Sequence, residues 1–246
     1  MEAYRPMNEY HHLAPYYDYM LQHVNYNEWY RYLRNVMCKY ISNPRTVLEL
    51  GCGTGKFGPK FSMDDYEIYG MDKSIAMLSI AKTRAYKNFH IFCGDITCFA
   101  LSKTVDFIFS VHDTFNYLLT YDDFAKALRC AYNCMSYNSI FLFDITTQYN
   151  IMKNFHRRLF SYTVKGTDIT WYNEYDEKSK MVYTKLTFVT QSRTITEEHL
   201  QRIYTIDEII PIIKKCGLLV VDMVGDYTMK PVTDHTIMIN VITKRA

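Results

Sequence analysis

Apolar positions along the chain change period several times, and each change marks an element. Between residues 27 and 41, Trp29, Leu33, Val36, Met37 and Tyr40 recur at three- and four-residue spacing. That spacing predicts an amphipathic helix, which Asn43-Pro44 ends. The next run, Thr46-Val47-Leu48-Glu49-Leu50, is short, aliphatic and partly β-branched, and it reaches a cluster of glycines. A buried strand that stops in a tight loop reads this way. The alternation continues with a predicted second strand at Glu67–Met71, a helix over residues 75–86 capped by Ser74, and a third strand at Phe89–Phe92. A fourth strand is expected at Val105–Ser110, a helix at Asp122–Met135 and a fifth strand at Ser139–Phe143. Strands that alternate with helices predict a mostly parallel sheet with right-handed crossovers and helices on both faces.

After Asp144 the period falls to two. Thr170–Tyr175, Met181–Val189 and Ile195–Tyr204 read as strands, joined in part by the turn Asp176–Lys180. They predict a small antiparallel sheet inserted before the next helix, Asp207–Cys216, which Gly217 stops. Two last strands are expected at Leu218–Val224 and Thr236–Thr243. No repeat, low-complexity linker or Gly/Ser-rich boundary interrupts the chain. The simplest organisation is one domain over residues 1–246 with residues 150–204 as an inserted β lid.

Composition narrows this picture modestly. The 246 residues are 48% apolar, enough for a sizeable core, and the net charge of +2 argues against a strongly basic nucleic-acid binder. Neither a secretory pattern in MEAYRPMNEYHH nor an apolar run of about 18 residues is present, so a cytoplasmic protein without a membrane partner is expected. The seven cysteines are scattered and odd in number, which fits reduced thiols. Cys93 with Cys98 and Cys130 with Cys134 lack the companion spacing of a zinc site, so no metal is expected.

The most informative stretch is Val47-Leu48-Glu49-Leu50-Gly51-Cys52-Gly53-Thr54-Gly55. Three glycines in five residues after a buried strand let the backbone turn sharply and approach a ligand at the carboxyl end of the sheet. Two registers compete. Gly53-Thr54-Gly55-Lys56-Phe57-Gly58 matches a dinucleotide fingerprint, with Asp72 following Gly53 by 19 residues. That register starts two residues late, and Pro59 interrupts the helix it should open. The register Glu49-x-Gly51-x-Gly53-x-Gly55 fits the strand end better. It resembles motif I of class I S-adenosylmethionine-dependent methyltransferases.

This resemblance runs from about Tyr16 to the C-terminus and is strongest between Val47 and Asp95. It implies a Rossmann-like α/β fold with a seven-stranded, mostly parallel sheet and S-adenosylmethionine as cofactor. Gly51, Gly53 and Gly55, with Cys52 among them, would pass beneath the amino-acid part of the cofactor, and Glu49 would anchor the loop or the ammonium. Asp72, followed by Lys73, would accept the ribose hydroxyls. Met77 would pack on the adenine, Asp95 would take its amino group, and Ile96 would meet the ring. Plainer readings stand beside these: Asp72 as a helix cap, Met77 as core filling, Asp95 as a turn residue.

The segment Ala14-Pro15-Tyr16-Tyr17-Asp18 is similar to the cap of a small-molecule subgroup that includes glycine N-methyltransferase and the N,N-dimethyltransferases of nucleotide-linked amino sugars. There an A-x-x-Y-D segment folds over the cofactor and the β insertion helps to close the acceptor pocket. Tyr17, Tyr26 and Trp29 are then expected at the cofactor, with helix packing as the alternative for these aromatics. The loop Val111-His112-Asp113-Thr114-Phe115-Asn116-Tyr117-Leu118 follows the fourth strand, where the acceptor should meet the methyl group. Val111 is expected at the cofactor, and His112 and Tyr17 are the candidate catalytic residues, His112 as a base and Tyr17 as a polar contact. The loop lacks both the Asn/Asp-Pro-Pro-Tyr motif and the Pro-Cys dipeptide of nucleic-acid methyltransferases. A small-molecule acceptor, an amine among the candidates, is therefore expected for a monomer or homodimer. Two rivals are a nicotinamide-dependent oxidoreductase using the second glycine register and a non-catalytic S-adenosylmethionine-binding protein.

Overall fold

A computed structural model describes residues 10–246. Two short helices, α1 (Ala14–Met20) and α2 (Tyr26–Tyr40), precede the first strand β1 (Thr46–Leu50). There follow α3 (Gly58–Met63), β2 (Glu67–Asp72), α4 (Ile75–Lys82), β3 (Phe89–Cys93), β4 (Val105–Ser110), α5 (Tyr121–Cys134) and β5 (Met135–Thr146). After the helical turn α6 (Gln148–Asn150) come β6 (Leu159–Val164), β7 (Thr167–Asp176), β8 (Met181–Val189) and β9 (Thr194–Arg202). The chain ends with α7 (Ile206–Lys215), β10 (Leu218–Gly225), β11 (Lys230–Pro231) and β12 (Met238–Arg245).

The main sheet runs β11-β10-β12-β5-β4-β1-β2-β3. Its β5-β4-β1-β2-β3 portion is parallel, whereas β12 is antiparallel to both β5 and β10. The sheet has eight strands rather than the expected seven, because Lys230–Pro231 adds a two-residue edge strand against β10. Pro231 lacks an N–H and suits such an edge. Apolar clusters cover both faces. One contains Leu48, Leu50 and Phe143 with the α5 and α7 stripes; the other contains Val47, Phe107 and Phe109 with Leu33, Val36 and Met37 of α2.

Three local departures from the sequence reading have identifiable causes. The link Lys56–Tyr66, too short for an ordinary first helix, holds the six-residue α3, with Pro59 in its first turn where no N–H partner is needed. Pro59 therefore opens a helix instead of interrupting one. Helix α4 stops at Lys82 instead of reaching residue 86, and the Thr83 hydroxyl donates to the Ile80 carbonyl at 2.7 Å in the turn that follows. Strand β5 starts at Met135 instead of Ser139; the Ser139 hydroxyl donates to the Val105 carbonyl at 2.6 Å beside the irregular start of the β4–β5 pairing.

Strands β6-β7-β8-β9 form a separate antiparallel sheet in sequence order; β7, β8 and β9 match the three expected strands, and β6 is an additional one paired with β7. Its buried face presents Ile169, Leu186 and Phe188, against which Leu13 and Met20 from the α1 region pack. Helix α1 thus sits between the two sheets.

Candidate functional site

The strand order reverses between β1 and β4, and the carboxyl ends of β1 to β4 meet at one rim of the sheet. Open α/β sheets form their ligand crevice at such a reversal. A cleft of about 190 Å³ opens there, lined by Tyr17, Gly51, Gly53, Asp72, Lys73, Met77, Asp95, Ile96 and His112 among others. The Gly51 and Cys52 N–H groups donate to the Met71 carbonyl at 2.8 and 2.9 Å, which ties the loop to β2. Both Gly51 (φ +76°) and Gly53 (φ +53°) are left-handed, the region that costs other residues about 1–2 kcal/mol. A Cβ on Gly51 would lie 2.6 Å from Thr114, whereas one on Gly53 would meet no atom within 4 Å. The backbone at Gly53 is therefore bared for a ligand.

Asp72 accepts from the Gly53 N–H through Oδ2 and from the Ser74 N–H through Oδ1, both at 2.8 Å. Burial raises its carboxyl, and these backbone donors act against that rise. The Ser74 hydroxyl caps α4 itself, accepting from the Met77 N–H at 3.4 Å. Asp95 is exposed and closes a turn, accepting from the Thr97 N–H at 2.8 Å and its hydroxyl at 2.7 Å.

Six of the expected cofactor residues do not line this cleft. Glu49 is buried at 3% exposure under the loop, and its Oε2 has no hydrogen-bond partner among the described residues. Burial, and then the Asp72 charge, push its carboxyl well above the usual range. Cys52 packs on Gly70, Gly55 faces Ala81, and Val111 belongs to the core. Tyr26 packs on Phe57 and His112, with the Lys56 ammonium 5.5 Å from its ring centre. Trp29 stacks on Tyr227 at 3.7 Å and flanks His112 at 4.5 Å.

A polar clasp ties α1 to the glycine loop. Thr54 donates its hydroxyl to Asp18 Oδ1 at 2.7 Å, Lys56 lies 3.3 Å from Oδ2, and Arg84 bridges Asp18 and the Thr54 carbonyl. Burial favours the neutral Asp18 carboxyl, but the Thr54 and Arg84 hydrogen bonds outweigh it and hold the group below its usual value.

The loop after β4 is fixed from beneath. Asp144, at the end of β5, accepts the N–H groups of His112 and Asp113 at 2.8 Å each and the Tyr227 hydroxyl. Those bonds hold both residues in the left-handed region, at φ +64° and +51°. Burial pushes the Asp144 carboxyl up to about 8 against these donors. The His112 Nε2 is buried without a partner among the described residues, and burial brings the imidazole down to about 4. A base this weak is neutral at pH 7 and transfers protons poorly there.

Behind the cleft lies a second cavity of about 340 Å³, between the rim of the main sheet and the small sheet. Trp29, Phe155, Trp171 and Leu186 give it apolar walls, and Asp113, Asn173, His199 and Gln201 supply polar groups. Tyr10, Tyr17, His112 and Tyr117 line both spaces. The Asn173 Nδ2 is buried without a partner among the described residues. Asp113 accepts from Gln201 at 2.8 Å, and burial lifts its carboxyl to about 6.

Residues 47–138 match the family model described as a methyltransferase domain. That stretch is a methyltransferase domain, and it holds the glycine loop, Asp72 and Asp95. A Bacillus subtilis protein named as a methyltransferase, YqeM, is 24% identical over 225 residues, covering 87% of this chain and 88% of its own. A solved S-adenosylmethionine-dependent methyltransferase from Clostridium acetobutylicum superposes with a TM-score of 0.83 at 24% identity, over 96% of this chain and 99% of its own. The sugar N-methyltransferase KedS8 from a Streptoalloteichus species gives a TM-score of 0.79 at 13% identity, over 100% of this chain and 97% of its own.

The two cavities and their surroundings also hold polar residues whose place the sequence alone does not indicate: Tyr10, Asp113, Tyr117, Asp144, Glu197, His199 and Gln201. Glu197, His199 and Gln201 alternate along β9, a pattern that by itself reads as a strand's solvent face. In the folded chain they face inward and are buried.

Proposed function

We propose that this methyltransferase transfers a methyl group from S-adenosylmethionine to a small-molecule amine held in the second cavity. The observation that carries this reading is the wall of Tyr10, Tyr17, His112 and Tyr117, common to the cleft and the cavity. A methyl donor on one side and an acceptor on the other would meet there, away from bulk water. Gly53 and Asp72 would cradle the cofactor, Asp72 through the lone pairs its two backbone donors leave free. Met77 and Ile96 would flank the adenine, and Glu49 would support the loop from beneath. The bound cofactor supplies an activated methyl, so the protein's main work is alignment, which can contribute roughly 7–11 kcal/mol.

An amine is favoured because aromatic faces and the buried Asp113 carboxyl suit a cation before transfer. The name sugar N-methyltransferase borne by KedS8 agrees with an amine acceptor. In this reading the chain is one methyltransferase unit with residues 150–204 as its lid, acting in the cytoplasm. The test is transfer from labelled S-adenosylmethionine into a cell extract fractionated into metabolites, RNA and protein. Label in the metabolite fraction, with mass spectrometry placing the methyl on nitrogen, is the expected outcome. Label confined to RNA or protein would overturn the acceptor class.

A further inference from the structure

Strand β9 carries three polar residues on its buried face, and two of them lead from the lid to the shared wall. Glu197 Oε1 lies 2.7 Å from His199 Nε2, and His199 Nδ1 lies 3.1 Å from the Tyr117 hydroxyl. Tyr10 donates its own hydroxyl to Tyr117 at 2.6 Å. The Glu197 and His199 side chains are 5% and 3% exposed, so the pair is sealed from solvent, while Tyr117 borders both chambers. A carboxylate on one imidazole nitrogen leaves the other to accept from the phenol. The remaining groups facing His199 are the Tyr10 ring at 4.7 Å, the nearby Asp113 charge, and Thr184, its register partner on β8. His112, the other imidazole at the wall, has no carboxylate bonded to its ring among the described residues.

We propose that Glu197, His199 and Tyr117 form a relay that removes one proton from the acceptor nitrogen before methyl transfer. The proposal rests on the amine reading. An amine enters as an ammonium ion, whose nitrogen has no lone pair to attack with. One N–H bond breaks, its proton passes to the Tyr117 oxygen, and the Tyr117 proton passes to His199 Nδ1. The freed lone pair then forms the N–C bond as the methyl–sulfur bond breaks, its electrons remaining on sulfur. The products are a methylated ammonium, a neutral thioether and one proton on His199, which returns through Tyr117 to water entering the cavity once the product has left. Tyr117 would be the catalytic residue in contact with the acceptor; His199 and Glu197 act through it.

The test uses the full chain with labelled S-adenosylmethionine and three primary amines of pocket size: cyclohexylamine, benzylamine and glucosamine. Rates are taken from pH 6 to 10 for wild type, Tyr117→Phe and His199→Gln, with melting curves as the check on folding. Tyr117→Phe removes one oxygen and keeps the ring, so it serves if His199→Gln fails to fold. Wild-type kcat/KM should level off near neutral pH. In the variants it should keep rising about tenfold per pH unit toward the amine's own pKa, with a deficit at pH 7 of about 10²–10⁴-fold. Equal losses at every pH, or no loss, would overturn the relay while leaving the amine reading intact. Transfer to none of the three amines would overturn the amine reading and the relay with it.

Discussion

Asp72 spends one lone pair of each carboxylate oxygen on a backbone N–H, from Gly53 and Ser74. The carboxylate is thus oriented before any ligand arrives, which is what a binding group needs. Replacing it by Ala should weaken S-adenosylmethionine binding about 10- to 150-fold, the loss of one charged hydrogen-bonding group. Calorimetric titration measures this, and unchanged affinity would remove Asp72 from the cofactor site. His112 makes an opposite prediction. With burial holding it near 4, its NMR titration should show an uncharged imidazole at pH 6, and a midpoint above 6 would restore it as a base. The motif made the place of Gly51, Gly53 and Asp72 at the cleft legible, because that place depends on short spacing after a strand. Glu197 and His199 were illegible, since only the N-terminal segment folding across β9 turns a polar face into an interior. Asp144 was visible merely as the point where the period changed; its role comes from Tyr227 and the loop after β4, far away in sequence.

Among the elements, α7 shows how local chemistry joins the two sheets. Thr205 and Glu208 form a capping box, and the same Glu208 carboxylate accepts from Lys180 at 2.8 Å and Tyr121 at 2.6 Å. Burial works to raise this carboxyl, but the Lys180, Tyr121 and Thr205 donors more than offset it and bring it to about 2. A folded value below the unfolded one means the stabilisation is complete above the unfolded pKa and fades as pH falls toward 2. Glu208→Gln should therefore cost about 1 kcal/mol at pH 7. In denaturant titrations the wild type and variant should converge near pH 2, and a constant difference would sink the assignment. The parallel strands and main helices were readable because each carries its own period. The two-residue β11 and the early start of β5 were not, because pairing with a neighbour defines them.

For the molecule as a whole, the cofactor reading has a simple thermal signature. A ligand at a hundred times its Kd adds about 2.7 kcal/mol to stability. For a chain of this size each kcal/mol moves Tm by roughly 2–4 °C. Adenosylhomocysteine at that concentration should raise Tm by about 5–10 °C, and the reduced nicotinamide dinucleotide should leave it unmoved. The reverse pattern would favour the other glycine register.

The segment from Tyr10 to Met20 touches both chambers. Asp18 fastens it to the glycine loop, and Glu197 accepts the backbone N–H groups of Tyr10, His12 and Leu13 at 2.8, 2.6 and 3.2 Å. If the cofactor and an acceptor fill these chambers as proposed, one strap anchored at both ends would make them thermodynamic partners even where they do not touch. Whatever factor adenosylhomocysteine adds to acceptor affinity, the acceptor must return to adenosylhomocysteine. Cutting the strap at Asp18 by substitution to Ala should bring that factor toward one, so that each chamber fills as though the other were absent.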